Sequence, residues 1–247
     1  MTDWNFTAIA SAHAAVLGGL IFGSPAHAGD LVKEIFNPVV QVDDGCTGTV
    51  IYSDRNKESG DVKTIILSAK HCLTKIKDNQ NLKVKSITAD DDGNIVAETN
   101  YNAKLLGTSY KVDLGIIELR DKDKIFPSVA KLENADTRLN PGEIVISYGY
   151  ALAFVPPTMV SGYLGLKQNI SVSGGNFQDF LRASTPLAGG NSGGPLFHVA
   201  LDGSYKIIGV VTGAVPSFPE VAIFTSIDDI EAYLKVALPE VYSTPTK

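Results

Sequence analysis

An all-β chain of two successive six-strand units, followed by one terminal helix, is the architecture this sequence predicts. Three observations carry it. Short runs rich in Val, Ile, Thr and aromatic residues recur at roughly 8 to 12 residue spacing, as strands of sandwiches and barrels do. Turn residues separate these runs, and the 23 Gly and 12 Pro among 247 residues supply that punctuation. The apolar period switches from two to near 3.6 only in the last run, Ile227 to Leu238.

In chain order, residues 8–22 are largely apolar and precede Ser24-Pro25-Ala26-His27-Ala28, a small-x-small ending that predicts an export leader, residues 1–28, cleaved after Ala28. No Lys or Arg precedes the apolar run, and the alternative is a retained N-terminal helix or anchor. A stable membrane span, which needs about 20 apolar residues, is not expected after cleavage. Six strands follow: Val39–Val42, Thr47–Tyr52, Thr64–Ser68, Leu82–Thr88, a long bent run Ile95–Leu106, and Leu114–Leu119. Asp90, Asp91 and Asp92 read as a solvated hairpin tip between the fourth and fifth. Polar residues 120–123 and the stretch from Pro127 to Pro141 lead to six more: Glu143–Tyr148, Met159–Leu166, Phe180–Ser184, Leu196–Val199, Lys206–Thr212 and Val221–Thr225. Ile227, Ile230, Tyr233, Leu234 and Leu238 then line one face of an amphipathic helix with acids in its first turn.

Composition excludes some partners. A net charge of −6 leaves no basic surface to compete for phosphates, so nucleic acid is not expected. The two cysteines, Cys46 and Cys72, lack zinc-ligand spacing, and no metal or cofactor is expected. In an exported chain they would oxidise to a disulfide; otherwise they are two buried thiols.

Chemistry concentrates in Gly190-Asn191-Ser192-Gly193-Gly194-Pro195. A serine hydroxyl becomes a nucleophile when a base takes its proton and nearby N–H groups stabilise the oxyanion, and glycines let the backbone donate at close range. Once the leader is gone only His71 and His198 remain as bases. His71 leaves the sheet next to Cys72, so it can project from a fixed backbone, whereas alternation puts His198 opposite Phe197, toward solvent. The acid that orients the imidazole should sit in apolar sequence, and Asp113, at the lip of the Leu114–Leu119 run, fits better than Glu118 or the Asp90–Asp92 tip.

A Cys-x-Gly-Thr strand (Cys46 to Thr49), then Ser-Ala-x-His-Cys (Ser68 to Cys72), then Asp-Leu-x-x-x-x-Leu (Asp113 to Leu119), then Gly-Asn-Ser-Gly-Gly-Pro resembles the trypsin/chymotrypsin-like serine peptidases, with the order His, Asp, Ser of that family. The likeness covers about Cys46 to Ser226 and is nearer the bacterial members than the animal digestive ones. It implies two six-stranded antiparallel barrels, at about residues 30–130 and 140–226, with the helix at about 227–238 completing one peptidase domain over 29–247. It makes Ser192 the nucleophile, His71 the general base and Asp113 the orienter, with the N–H groups of Gly190 and Ser192 as oxyanion hole. The substrate-binding positions it implies are Pro186 at the pocket base and Thr212, Gly213 and Ala214 along its wall. None carries a carboxylate, so a small or apolar residue is expected at the cleavage point.

Asn191 stands where many animal members carry the Asp that pairs with a newly cut terminus, so activation by that ion pair is not expected. With only Pro239 to Lys247 after the helix, an attached PDZ domain is not expected either. The expectation is a secreted or periplasmic serine endopeptidase acting on protein or peptide substrates. Alternatives are a catalytically inactive relative kept for binding or regulation, and an esterase-like hydrolase using the same site. Oligomeric state leaves no signal in the sequence.

Overall fold

The computed structural model describes residues 28–43, 45–76, 80–153, 155–171, 177–215 and 218–242. All of the expected leader except Ala28 lies outside these residues.

The first unit closes on itself. Its strands β1 (Val39–Val42), β2 (Cys46–Arg55), β3 (Val62–Ser68), β4 (Leu82–Ala89), β5 (Ile95–Thr108) and β6 (Gly115–Leu119) run in the order β1-β2-β3-β6-β5-β4, and β4 pairs back onto β1 through Val40–Ser86 and Val42–Val84. Every pairing is antiparallel; hairpins join β1 to β2, β2 to β3, β4 to β5 and β5 to β6, while β3–β6 and β4–β1 pair strands that are not consecutive in the chain. Alternation sends Val40, Val42, Val50, Ile66, Val84 and Ile117 inward. Strands this long must bend to close, and they do so at register shifts between Val50 and Tyr52 and between Leu105 and Gly107.

The second unit is a curled sheet. A two-residue strand β7 (Lys131–Leu132) precedes β8 (Ile144–Gly149), β9 (Thr158–Tyr163), β10 (Gln168–Ser171), β11 (Phe177–Ala183), β12 (Pro195–Val199), β13 (Tyr205–Val215) and β14 (Phe218–Ser226). The order is β10-β11-β14-β13-β12-β8-β9, with β7 added in parallel to β13. The curl brings the end of β9 to β11 at the isolated bridge Leu164–Ala183, where Gly165 N–H donates to Arg182 O at 2.7 Å and Ser184 N–H to Tyr163 O at 3.0 Å. Val145, Leu181, Leu196, Ile208, Val211 and Phe224 form its interior.

Each of the twelve runs read from the sequence falls on a strand; β7 and β10 are additional. The two-barrel, chymotrypsin-like architecture is therefore observed, with the second barrel sealed by one bridge and not by a full ladder.

A third core joins the two units. Ile65 and Leu67 of β3, Ile146 and Tyr148 of β8, and Phe197 of β12 pack together with Ile227, Ile230 and Leu234 of the terminal helix (Ile227–Ala237). Its apolar face is the predicted one, and Asp228 and Asp229 lie in the first turn, where the helix dipole favours negative charge. No helix among the described residues is long and apolar enough to cross a membrane.

Candidate active site

Where the first barrel meets the second, three segments converge. The first is the exit of β3. The backbone leaves the strand at Ser68, which is fully buried, and forms the short 3-10 turn Lys70–Cys72. Lys70 Nζ anchors that turn on Ser109 O at 2.9 Å. The second is the entry to β6, where Ser109 Oγ accepts the N–H groups of Lys111 and Val112 at 3.2 Å each and Ser109 N–H donates to Leu114 O at 2.8 Å. The turn so built carries Asp113. The third is the glycine loop 189–194 ahead of β12.

His71 and Asp113 meet through two contacts. Asp113 Oδ2 lies 2.6 Å from His71 Nδ1, and Oδ1 accepts the His71 backbone N–H at 2.9 Å. A carboxylate acceptor assigns the proton to Nδ1 and leaves Nε2 as the acceptor nitrogen. The hydrogen bond to Asp113 raises the His71 pKa above the ordinary imidazole value; burial opposes it, and the negative charge of Asp113 adds to the rise. Asp113 is mostly buried, at 19% side-chain exposure, while His71 stays open at 46%. Its partner is fixed and its outer edge is available.

Cys46 and Cys72 form a disulfide with Cα atoms 6.2 Å apart, closing β2 against the residue after His71. Cys46, His71 and Cys72 bring their donor atoms within 4.8 Å of one another, but both sulfurs are spent in the S–S bond, so no thiolate is present to bind a metal. Cys72 Sγ also lies 3.7 Å from Ser192 O, a packing contact, since a disulfide sulfur has no proton to donate.

Ser192 is held by its backbone. Its carbonyl accepts Thr47 N–H at 2.9 Å, and Gly193 N–H and Gly194 N–H bond to Val211 O and Asn191 O at 2.9 Å each. Gly190 and Gly193 sit at φ +99° and +82°, in the left-handed region, and both are also sterically obligatory. A Cβ on Gly190 would come 2.2 Å from Tyr150 O, and one on Gly193 would come 2.3 Å from Thr47 O. Among the described residues, neither Gly190 N–H nor Ser192 N–H makes a hydrogen bond, and none joins Ser192 to His71. Serine–base contacts are commonly loose before a substrate is seated. Asn191 is buried at 4% exposure, and its Oδ1 has no partner among the described residues.

The expected substrate-binding positions lie on two segments. Pro186 is exposed in the approach from β11 to the glycine loop, directly after fully buried Thr185. Thr212, Gly213 and Ala214 belong to β13; the Thr212 and Thr225 hydroxyls are 3.0 Å apart, and a Cβ on Gly213 would meet nothing within 4 Å.

One sequence reading needs correction. His198 does point away from Phe197, but not to solvent: it is 6% exposed, with Nε2 2.8 Å from Glu133 Oε2 and Nδ1 3.8 Å from Glu143 Oε2. The stretch carrying β7 covers that face. Glu118 is likewise buried, between Lys104 and Lys122; burial alone would raise its pKa, and the two ammonium groups hold it below the usual carboxylate value. Neither residue contacts His71 among the described interactions.

Sequence reading also passed over Thr47, which enters the Cys-x-Gly-Thr motif only as its variable position. Its hydroxyl donates to Gly190 O at 2.7 Å and accepts Tyr150 N–H at 3.0 Å. A single buried threonine in a strand carries no local signal of such a role.

Comparison with known proteins gives a consistent picture. The profile of a family described as trypsin-like peptidase domain matches residues 46–209. Curated relatives include proteins named probable periplasmic serine endoprotease DegP-like. That of Rickettsia prowazekii (strain Madrid E) is 33% identical over 116 residues, covering 46% of this chain and 21% of that protein. That of Pseudomonas fulva (strain 12-X) is 31% identical over 137 residues, covering 54% and 26%. The chain thus spans only about a quarter or less of these relatives' length. Among solved structures, an inactive form of Rv3671c from M. tuberculosis H37Rv superposes with a TM-score of 0.59 at 18% identity, covering 85% of this chain and 89% of that one, a likeness of fold.

Proposed function

The chain belongs to the trypsin-like peptidase domain family, and from that premise we propose that it is an exported serine endopeptidase whose Ser192, His71 and Asp113 act as a catalytic triad. The observation that carries this reading is the doubly held His71–Asp113 pair, in a ring that stays 46% exposed and whose Nε2 makes no hydrogen bond among the described residues.

In the proposed reaction, His71 Nε2 takes the Ser192 Oγ proton as Oγ attacks the scissile carbonyl. The negative charge gathering on the carbonyl oxygen is met by Gly190 N–H and Ser192 N–H, which make no other hydrogen bond among the described residues. Asp113 keeps the imidazole in one tautomer and stabilises the imidazolium. The imidazolium then gives its proton to the leaving amine, an acyl-enzyme on Ser192 remains, and water repeats the sequence in reverse. No step calls on a metal or cofactor.

The substrate is a protein or peptide. Its cleavage-point side chain lies by Pro186 and Thr212, and its backbone runs beside Gly213 and Ala214 as an added strand. A lysine or arginine there would be desolvated without a counter-charge, so a small or apolar residue is preferred. Export follows from the leader over residues 1–28 and fits relatives named periplasmic.

The test is turnover of a peptide library by the purified chain. Cleavage after small or apolar residues, reduced by orders of magnitude in Ser192→Ala and His71→Ala, is expected. Dominant cleavage after Lys or Arg would overturn the specificity, and turnover unchanged in Ser192→Ala would overturn the mechanism.

A further inference from the structure

We propose that Thr47 is a positioning residue for the oxyanion-binding loop: its hydroxyl and its backbone N–H tie back the carbonyls of Gly190 and Ser192, so that the neighbouring N–H groups stay turned toward the reaction centre. This deepens the serine peptidase reading and rests on it.

Thr47 is fully buried in β2, one residue after Cys46. Four hydrogen bonds radiate from it, all to segments that build the site. Its Oγ1 donates to Gly190 O at 2.7 Å and accepts Tyr150 N–H at 3.0 Å. Its N–H donates to Ser192 O at 2.9 Å, and its carbonyl accepts Ser68 Oγ at 2.8 Å, three residues before His71. One residue of the first barrel thereby holds the glycine loop of the second, the Gly149–Tyr150 exit of β8, and the strand end that leads to the base.

The peptide planes explain why these tethers matter. In a trans peptide, C=O and N–H point opposite ways, so fixing a carbonyl fixes the direction of its partner N–H. Leu152 N–H holds Gly189 O at 2.5 Å, and that plane includes Gly190 N–H. Thr47 Oγ1 holds the next plane, that of Gly190 C=O and Asn191 N–H, and Thr47 N–H holds that of Ser192 C=O and Gly193 N–H, so both planes flanking the Asn191–Ser192 plane, which carries Ser192 N–H, are tied to Thr47. Gly190, at φ +99° and without a side chain, rotates easily; the far end of its plane is held only by the longer Asn191 N–H to Ala188 O bond at 3.2 Å, and Gly190 O makes no other hydrogen bond among the described residues. Removing the hydroxyl would also orphan the buried Tyr150 N–H, so the carbonyl and the N–H would both be driven to find new partners.

The experiment compares wild type, Thr47→Val, Thr47→Ala and Thr47→Ser. Three quantities are read against the folded fraction: kcat and KM on one peptide, affinity for a peptide boronic acid that forms a tetrahedral adduct on the serine, and affinity for a non-covalent product peptide. Valine keeps the shape without the hydroxyl, alanine relieves any packing strain, and serine restores the donor. The expected result is a fall in kcat and in boronate affinity of about 10²-fold in the Val and Ala variants, the scale of losing one oxyanion donor. KM and product affinity should stay within about twofold, because ground-state contacts are untouched, and Thr47→Ser should recover most of the loss.

Retention of wild-type kcat in Thr47→Val would overturn the proposal. So would equal losses of boronate and product affinity, or failure of both the Val and Ala variants to fold, since each makes the role purely structural. A wild type that neither hydrolyses peptide nor binds boronate would overturn the serine peptidase reading itself, an outcome distinct from an active wild type matched by its Thr47 variants.

Discussion

Asp113 grips His71 twice, once at Nδ1 over 2.6 Å and once at the backbone N–H over 2.9 Å, so ring and main chain are fixed by one carboxylate. Rotating the imidazole away from Asp113 would break the first contact while the second still held the turn in place.

That grip sets the pH dependence. Because the Asp113 hydrogen bond raises the His71 pKa, the acidic limb of kcat/KM should fall above the ordinary imidazole value. The sign for stability is opposite. A raised histidine pKa stabilises the fold below the unfolded value, and that increment disappears as pH rises through the folded pKa. With His71 nearly half exposed, the increment is small, and activity rises as it is lost. Asp113→Asn should move the limb toward lower pH and cut kcat by about 10⁴-fold at neutral pH. A limb that stays put in this variant, measured by pH–rate profiles, would contradict the assignment.

Gly190→Ala should abolish most activity while leaving the fold intact. The new Cβ would sit 2.2 Å from Tyr150 O, so the loop must shift and its N–H groups with it. A loss of kcat of at least about 10²-fold is expected from a misplaced donor. Circular dichroism should be unchanged, and near-normal kcat would show that Gly190 N–H is not used.

Asn191→Asp should be harmful in a pH-dependent way. The side chain is 4% exposed, and no described cation faces it, so a carboxylate there is buried without a partner. Its folded pKa would be raised, so the destabilisation should grow as pH climbs above the unfolded Asp value and level off above the folded one. Denaturant unfolding at two pH values, one acidic and one neutral, checks this; an equal effect at both would contradict it.

His198 should matter for stability and not for chemistry. Its Nε2 bond to Glu133 Oε2 is buried at 7% exposure on both sides, while Glu133 Oε1 also accepts Asn134 N–H at 2.8 Å and lies 3.7 Å from Lys206 Nζ. His198→Leu should cost about 1–3 kcal/mol, the scale for leaving a buried polar atom without its hydrogen bond, while His198→Gln, which keeps an N–H donor, should cost less. Kinetics on the folded fraction should be unchanged in both, and a specific loss of kcat would mean the second histidine had been misread.

Much of this was legible in the sequence because the signals are local. The strands β1 to β6 announce themselves by alternation and by turn residues between them, and the terminal helix by its change of period. What the sequence did not convey depends on distant chain. His198 obeys alternation, but the face it points to is covered by Glu133, 65 residues earlier. β10 is polar enough to pass for a loop and exists through its pairing with β11. The β7 strand has two residues, too short for any period. Thr47 is informative only once Gly190, 143 residues on, has folded against it. The His71–Asp113 pair, by contrast, could be reached by elimination, since only His71 and His198 lie beyond the expected leader and few acids sit at the lip of an apolar strand.

The claim that Ser192 is an activated nucleophile is tested most directly by labelling the purified, exported chain with an active-site fluorophosphonate and locating the adduct by mass spectrometry. The account predicts one adduct per chain, on Ser192, slowed by orders of magnitude in His71→Ala and absent in Ser192→Ala. A wild-type chain that takes up no label, or takes it up equally in Ser192→Ala, would contradict it.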